Sequence, residues 1–211
     1  GNGLLLGHRD GIDSLNIEAA AAMSRGDFRR SETLYRRDLV NRRARFGPDH
    51  TEVGEALYNL GVLLCRMGAF DEAERMYRDA LEIRRRNLPR DHPDFAYSLL
   101  ALGDLLVKTR RSAESESLLR EALQISRKVL PKEHWQIPLT EATLGECLAA
   151  LGRFGEAESL LLVSYPEIIR VQGVDNRLYT ADALKAIINL YELWDAAEPG
   201  KGYAEKAAEW R

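Results

Sequence analysis

Apolar residues recur along this chain at helical spacing, in blocks that return every 42 residues. Residues 50–91 show one period clearly. Leu57, Leu60, Leu63 and Leu64 form a stripe that predicts an amphipathic helix opened at Asp49-His50-Thr51. Met67-Gly68-Ala69 closes it, because glycine can take the left-handed conformation that ends helices. A second stripe runs through Ala73, Met76, Tyr77, Ala80, Leu81 and Ile83. It predicts a second helix starting near Asp71, whose carboxylate can cap the free amides. Arg84-Arg85-Arg86 suits the negative end of that helix, and Leu88-Pro89-Arg90-Asp91 turns the chain into the next period. Each period therefore predicts two helices, and such short connections make them antiparallel neighbours.

The same interval is kept by His8, His50, His92 and His134, and by Gly61, Gly103 and Gly145. Gly26, Gly68 and Gly152 keep it too, with Arg110 in the vacant slot. A fixed period of this length marks a solenoid, in which each unit contacts only its neighbours. The expected fold is all-α, with about five antiparallel helix pairs in a single array over residues 8–211. The units are drawn at about 8–49, 50–91, 92–133, 134–176 and 177–211, after a lead-in at 1–7 that is either appended residues or disordered. Gly61, Gly103 and Gly145 sit mid-helix, where each costs about 1 kcal/mol against alanine. A recurring cost implies a recurring gain, namely close approach of the partner helix, with the small Ser31, Ala73, Ser115 and Ala157 opposite. Two slots of large residues, Phe28, Phe70 and Phe154, and Tyr35, Tyr77, Leu119 and Leu161, are expected to fill the gap between units. Pro166 predicts a kink or early end in the second helix of the fourth unit.

The pattern resembles the tetratricopeptide repeat family: Leu57, Leu60, Gly61 and Leu64 in the first helix, then Ala73, Tyr77 and Ala80 in the second. The next unit reads Leu99, Leu102, Gly103 and Leu106, then Ser115, Leu119 and Ala122. The long period, with His92-Pro93-Asp94, Leu57-Tyr58-Asn59-Leu60-Gly61 and Phe70-Asp71-Glu72-Ala73-Glu74, is similar to the kinesin-light-chain variety of the repeat. The ends depart from the pattern, with Ala19 at the glycine position, Asp38 at the slot of Ala80 and Ala122, and Ile188 at the glycine position of the last unit. The closing segment, from Leu190-Tyr191 to Trp210-Arg211, resembles the end of such arrays in bacterial signalling proteins, several of which carry a serine/threonine kinase domain. The resemblance implies a right-handed superhelix whose first helices line a concave groove.

Composition changes this picture little. The chain has 211 residues, 45% of them hydrophobic, and no apolar run approaches the roughly 18 residues of a membrane span. Leu4-Leu5-Leu6 is too short for a signal peptide. Cys65 and Cys147 occupy different repeat positions in apolar helical context, which predicts two reduced, buried thiols in a cytoplasmic protein. The net charge of −3 hides an asymmetry: residues 25–45 carry a local +5 and residues 141–167 a local −4. Solvated helix faces explain both, although the asymmetry could also steer a partner or favour head-to-tail contact.

Candidate chemistry is sparse. The four histidines are spread along the repeat rather than converging, so a structural role in the turns is expected and no metal or cofactor. With every histidine absorbed by the repeat, a Ser-His-Asp arrangement has no base to spare, and no enzyme is expected. Arg29-Arg30, Arg36-Arg37, Arg42-Arg43, Arg84-Arg85-Arg86 and Arg110-Arg111 raise nucleic-acid binding, which the overall acidity disfavours. The resemblance instead points to the groove positions of the first helices. These are Asp13 and Asn16; Glu55, Tyr58, Asn59, Val62 and Arg66; Tyr97, Leu100, Ala101, Asp104 and Lys108; and Asp182, Lys185 and Asn189. Asn59 matches an asparagine that bonds the backbone of an extended peptide in the family, and Tyr58 and Tyr97 offer large rigid contact area. The expected function is a protein-interaction scaffold binding a peptide or protein segment. The competing expectation is a regulatory or self-associating array belonging to a larger signalling protein.

Overall fold

The computed structural model describes the backbone of residues 3–172 and 177–211, and the side chains of residues 14–171 and 179–211. His8 and Asp13 lie outside the described side chains, and the expected unit boundary at 176/177 abuts an undescribed stretch. The described residues form ten helices and no strands. They are α1 (Gly3–Ser24), α2 (Phe28–Phe46), α3 (Thr51–Arg66), α4 (Phe70–Asn87), α5 (Pro93–Lys108), α6 (Ser112–Val129), α7 (Gln136–Ala150), α8 (Phe154–Gln172), α9 (Arg177–Ala197) and α10 (Tyr203–Glu209). Two compact units contain them, residues 1–90 with α1–α4 and residues 91–211 with α5–α10. Within each unit every helix packs on the next one in the chain, so the all-α solenoid of helix pairs is present. In the second unit α7 also lies beside both α5 and α9, which sets three first helices side by side.

Histidine opens three of the helices. The Nδ1 atoms of His50, His92 and His134 accept the backbone N–H of Glu52, Asp94 and Gln136 at 3.2, 3.2 and 3.3 Å. This is the structural turn role that the spacing predicts, with imidazole nitrogen replacing the usual capping oxygen. Asp71 does not cap α4. That helix starts one residue earlier, with Ala69 at the cap and Asp71 inside the first turn, where its charge favours the helix dipole.

The mid-helix glycines do make room, but for different residues than expected. A Cβ at Gly61 would lie 2.6 Å from Tyr77 Cε1, one at Gly103 2.6 Å from Leu119 Cδ2, and one at Gly145 2.6 Å from Leu161 Cγ. Tyr77, Leu119 and Leu161 therefore lock each pair internally rather than filling the gap between units. The serines of the small slot add a second tie: Ser31 Oγ donates to the Ala19 carbonyl at 2.9 Å, and Ser115 Oγ to that of Gly103 at 2.7 Å. Phe70 is exposed, and Phe154 stacks on Trp194 of α9 at 5.5 Å.

Two further expectations are corrected. Of the kink or early end expected at Pro166, the early end does not occur, since α8 continues through Pro166 to Gln172. Proline removes the donor to the carbonyl of Leu162, a residue on the exposed side of the helix. Cys147 is buried, its thiol donating to the Ser112 carbonyl at 3.2 Å, whereas Cys65 is only half-buried. Among the described residues no helix is long and apolar enough to cross a membrane.

Turns within the helix pairs use a left-handed residue. Gly26, Gly68 and Gly152 have φ of 75–78°, and Arg110 takes their place at 61°. Each turn closes with a bond from the following amide back to the helix, as in Arg111 N–H to the Leu106 carbonyl at 2.7 Å. Arg110 therefore bears the Cβ strain that glycine avoids. Replacing Arg110 with glycine should raise stability by about 0.5–1 kcal/mol in urea unfolding. Replacing Gly61 with alanine should lower it by about 1–2 kcal/mol, because overpacking against Tyr77 outweighs the gain in helix propensity. Equal stability of both variants with the parent chain would show that neither position is under the stated constraint.

Candidate functional site

In the first unit the predicted residues meet through a polar chain that starts in the core. Arg42 of α2 is 1% exposed, and its Nε donates to both oxygens of the fully buried Asp38 at 3.0 and 3.1 Å. Its Nη1 continues to Glu52 and, at 3.4 Å, to Glu55 on α3. Burial works against the charge on Arg42, but the hydrogen bond and charge of Asp38 outweigh it and hold its pKa above the ordinary value. Burial also pushes the Glu55 carboxyl up, with Arg42 pulling the other way. Glu55 then accepts from Asn16 Nδ2 at 3.5 Å, and Asn16 Oδ1 accepts from Asn59 Nδ2 at 3.3 Å.

Asn16, Glu55 and Asn59 are thus one half-buried cluster on α1 and α3. A primary amide carries two N–H donors and a carbonyl with two lone pairs, so this pair keeps capacity for a ligand. Tyr58 stands apart from it. Its ring lies beneath the Arg84 guanidinium at 5.1 Å and 5.9 Å from the Tyr77 ring, against α4. Val62 is half-buried, and Arg66 is exposed.

The second unit brings a different set together. Tyr97 of α5 stacks on Trp135 with centroids 5.8 Å apart, and its hydroxyl lies 3.5 Å from His134 Nε2. Burial, and then the charge of Asp94, raise the Tyr97 pKa. Asp104 and Lys108 pair at 2.5 Å one turn apart. Leu100 is buried and Ala101 half-buried. On α9, Asp182 and Lys185 are exposed and 3.6 Å apart, and Asn189 is exposed.

Sequence reasoning missed Glu146, which sits on α7 between α5 and α9. It occupies the repeat position of Asp104, so the 42-residue period itself was the available signal. Burial raises its carboxyl to about 7, assisted by Asp104 and Asp182 and opposed by Lys108. Trp135 was missed as well, although it follows a histidine whose place in the turn was clear. Among the described residues no cluster of histidine, cysteine and carboxylate side chains could hold a metal ion.

Tetratricopeptide repeat profiles match residues 13–86 and residues 95–136, together more than half of the sequence. The chain belongs to the tetratricopeptide repeat family, whose members are repeat scaffolds for protein interaction. Its fold is like that of nearly identical TPR-like repeats from a kinesin light chain of Podosopora anserina. That likeness has a TM-score of 0.73 and 19% identity, covering 96% of this chain and 92% of that one. BtubC (BKLC) from P. vanneervenii matches with a TM-score of 0.70 and 21% identity over 95% of this chain and 79% of that one. A Rap protein complexed with competence and sporulation factor matches with a TM-score of 0.70 and 14% identity over 93% of this chain and 50% of that one. Comparison with curated proteins gives no match.

Glu146 generates a pH test. A carboxyl raised from 4.5 to about 7 holds its proton more tightly in the folded chain. Its contribution to stability is therefore fully present below pH 4.5 and is lost as pH rises through about 7. Glu146→Gln should unfold at a higher temperature than the parent at pH 8, and at nearly the same temperature at pH 5. A parent chain and variant that differ equally at both pH values would remove the assignment.

Proposed function

We propose that this chain is a scaffold that binds a peptide or protein segment along its first helices, each unit presenting its own strip of groove positions. The linked amides of Asn16 and Asn59 carry this reading. They sit on adjacent first helices, are held from the core by Glu55 and Arg42, and are half-buried with bonding capacity to spare. An extended backbone offers alternating N–H and C=O groups, which such amides can meet with either partner. In the second unit Tyr97 on Trp135 supplies a rigid aromatic surface, and the Asp104–Lys108 pair lies further along α5. Preformed contacts of this kind lower the ordering cost of binding. Binding is the proposed activity, with neither catalysis nor a nucleic-acid ligand.

The competing reading, a self-associating or regulatory array of a larger signalling protein, has less support in its head-to-tail form. Four of the five glutamates in residues 141–167 already hold partners: Glu141 with Arg127, Glu156 with Arg153, Glu158 with Lys206, and Glu167 with Arg170. The acidic end is largely neutralised from within.

Peptides selected from a displayed random library against the 211-residue chain would test the groove. Their affinity should fall about tenfold with Asn59→Ala or Tyr97→Ala, with helicity unchanged. Peptides that bind both variants as tightly as the parent would rule out these strips as the site.

A further inference from the structure

The outer side of α2 is built unlike that of the helices that follow it. At 3.6 residues per turn, Arg29, Thr33, Arg36, Arg37, Val40, Arg43 and Ala44 fall within about 120° of one helix face. Ser31, Tyr35, Asp38, Leu39 and Arg42 are the buried residues of the opposite side. Val40 is 64% exposed at the centre of the outer face, with Arg29, Arg37 and Arg43 exposed around it. These three arginines make no ion pair with any described residue, while Arg36 is held by Glu32 and Glu72.

The repeat supplies an internal comparison. The slots of Arg29, Arg30, Arg37 and Val40 hold Asp71, Glu72, Asp79 and Glu82 in α4. In α6 the slots of Arg30 and Arg37 hold Glu114 and Glu121. Several outer arginines of those later helices are paired along the helix, as in Arg78 with Glu74, Arg86 with Glu82 and Arg120 with Glu116, while Arg75, at the slot of Thr33, is exposed without an ion pair among the described residues. A mixed surface of that kind is the ordinary solvated face. In α2 carboxylates have given way to arginine, and one glutamate to an apolar side chain, so Arg29, Arg37 and Arg43 stand exposed on one face without the carboxylates that the slots of Arg29, Arg37 and Val40 supply in α4. Such a face is complementary to anionic groups from outside the chain.

We propose that this face of α2 is a docking surface for an acidic protein segment, which lays an apolar side chain on Val40 and its carboxylates against Arg29, Arg37 and Arg43. It is separate from the groove positions, which lie on first helices. Arginine suits the task, since its planar fork meets carboxylates two bonds at a time. The exposed valine favours protein over nucleic acid, because it interrupts the row of cations and has nothing to offer a phosphate. A second copy of the chain is disfavoured, because its acidic stretch is already paired.

The test titrates the full chain into a fluorescein-labelled helical peptide of glutamates with leucines along one face. A peptide with those leucines changed to alanine and a single-stranded DNA of equal charge are titrated in parallel, all read by anisotropy. The leucine peptide should bind best. Arg37→Glu with Arg43→Glu should weaken it about tenfold or more, Arg37→Lys with Arg43→Lys should retain part of the binding, and Val40→Ser should cost about fivefold. Asn59→Ala should leave it unchanged, and circular dichroism should show full helicity for every variant. Failure of the leucine peptide to bind, equal binding by the charge-reversed chain, or tighter binding of the DNA would overturn the proposal.

Discussion

The structure depends on one repeated contact, a bulky second-helix side chain seated on a first-helix glycine. Tyr77 on Gly61, Leu119 on Gly103 and Leu161 on Gly145 each come within the space that a methyl group would need. Glycine costs a helix about 1 kcal/mol in propensity, and the approach it permits recovers this through burial of the large side chain. Tyr77, Leu119 and Leu161 are 3%, 0% and 1% exposed. The contact also fixes the axial register of each pair, because the knob fits only where the Cβ is missing. Register in turn decides which first-helix residues share a face, so Glu146 returns on α7 at the position of Asp104 on α5.

The first helix pair, α1 with α2, meets the same demand differently. Ala19 replaces the glycine, and the pair is tied by Ser31 to the Ala19 carbonyl. Asp38 then stands where the next two repeats have Ala80 and Ala122, and Arg42 neutralises it within hydrogen-bonding distance. A buried ion pair of this kind contributes little net stability, since desolvation offsets attraction, but it constrains geometry strongly. Here the constraint is passed outward, from Arg42 to Glu55 and from Glu55 to Asn16 and Asn59. Departure from the repeat thus coincides with the place where a linked chain of polar side chains reaches from the core to the half-buried amides of Asn16 and Asn59.

Helix pairing, turn glycines and a structural role for the histidines in the turns were legible in the sequence because each is a local effect repeated in phase. What was not legible depended on three-dimensional neighbours. Tyr58 and Asn59 are adjacent in the chain, and nothing in their types says that one lies under Arg84 while the other joins Asn16. The large slot of Tyr77 and Leu119 could be recognised by period, but its partner could not, since a knob within a pair and a wedge between pairs leave the same pattern. The early end expected at Pro166 fails for a related reason. The cost of proline depends on what meets the carbonyl it leaves without a donor, and a linear pattern does not state that.

Charge illustrates the same limit most sharply. Read as sums, residues 25–45 and 141–167 are opposite poles that ought to attract. Read in space, they are unlike in kind. In residues 141–167 four of the five glutamates are paired within the chain, and nearby Glu116 is held by both Arg120 and Arg153. Two arginines hold the Glu116 carboxyl below its usual range, chiefly through the hydrogen bond from Arg120. Along α2 the arginines outnumber the carboxylates within reach, and proximity leaves Arg29, Arg37 and Arg43 in excess. Charge that local geometry fails to cancel acts on a partner that comes within a Debye length of roughly 8 Å, so the local excess matters more than the total.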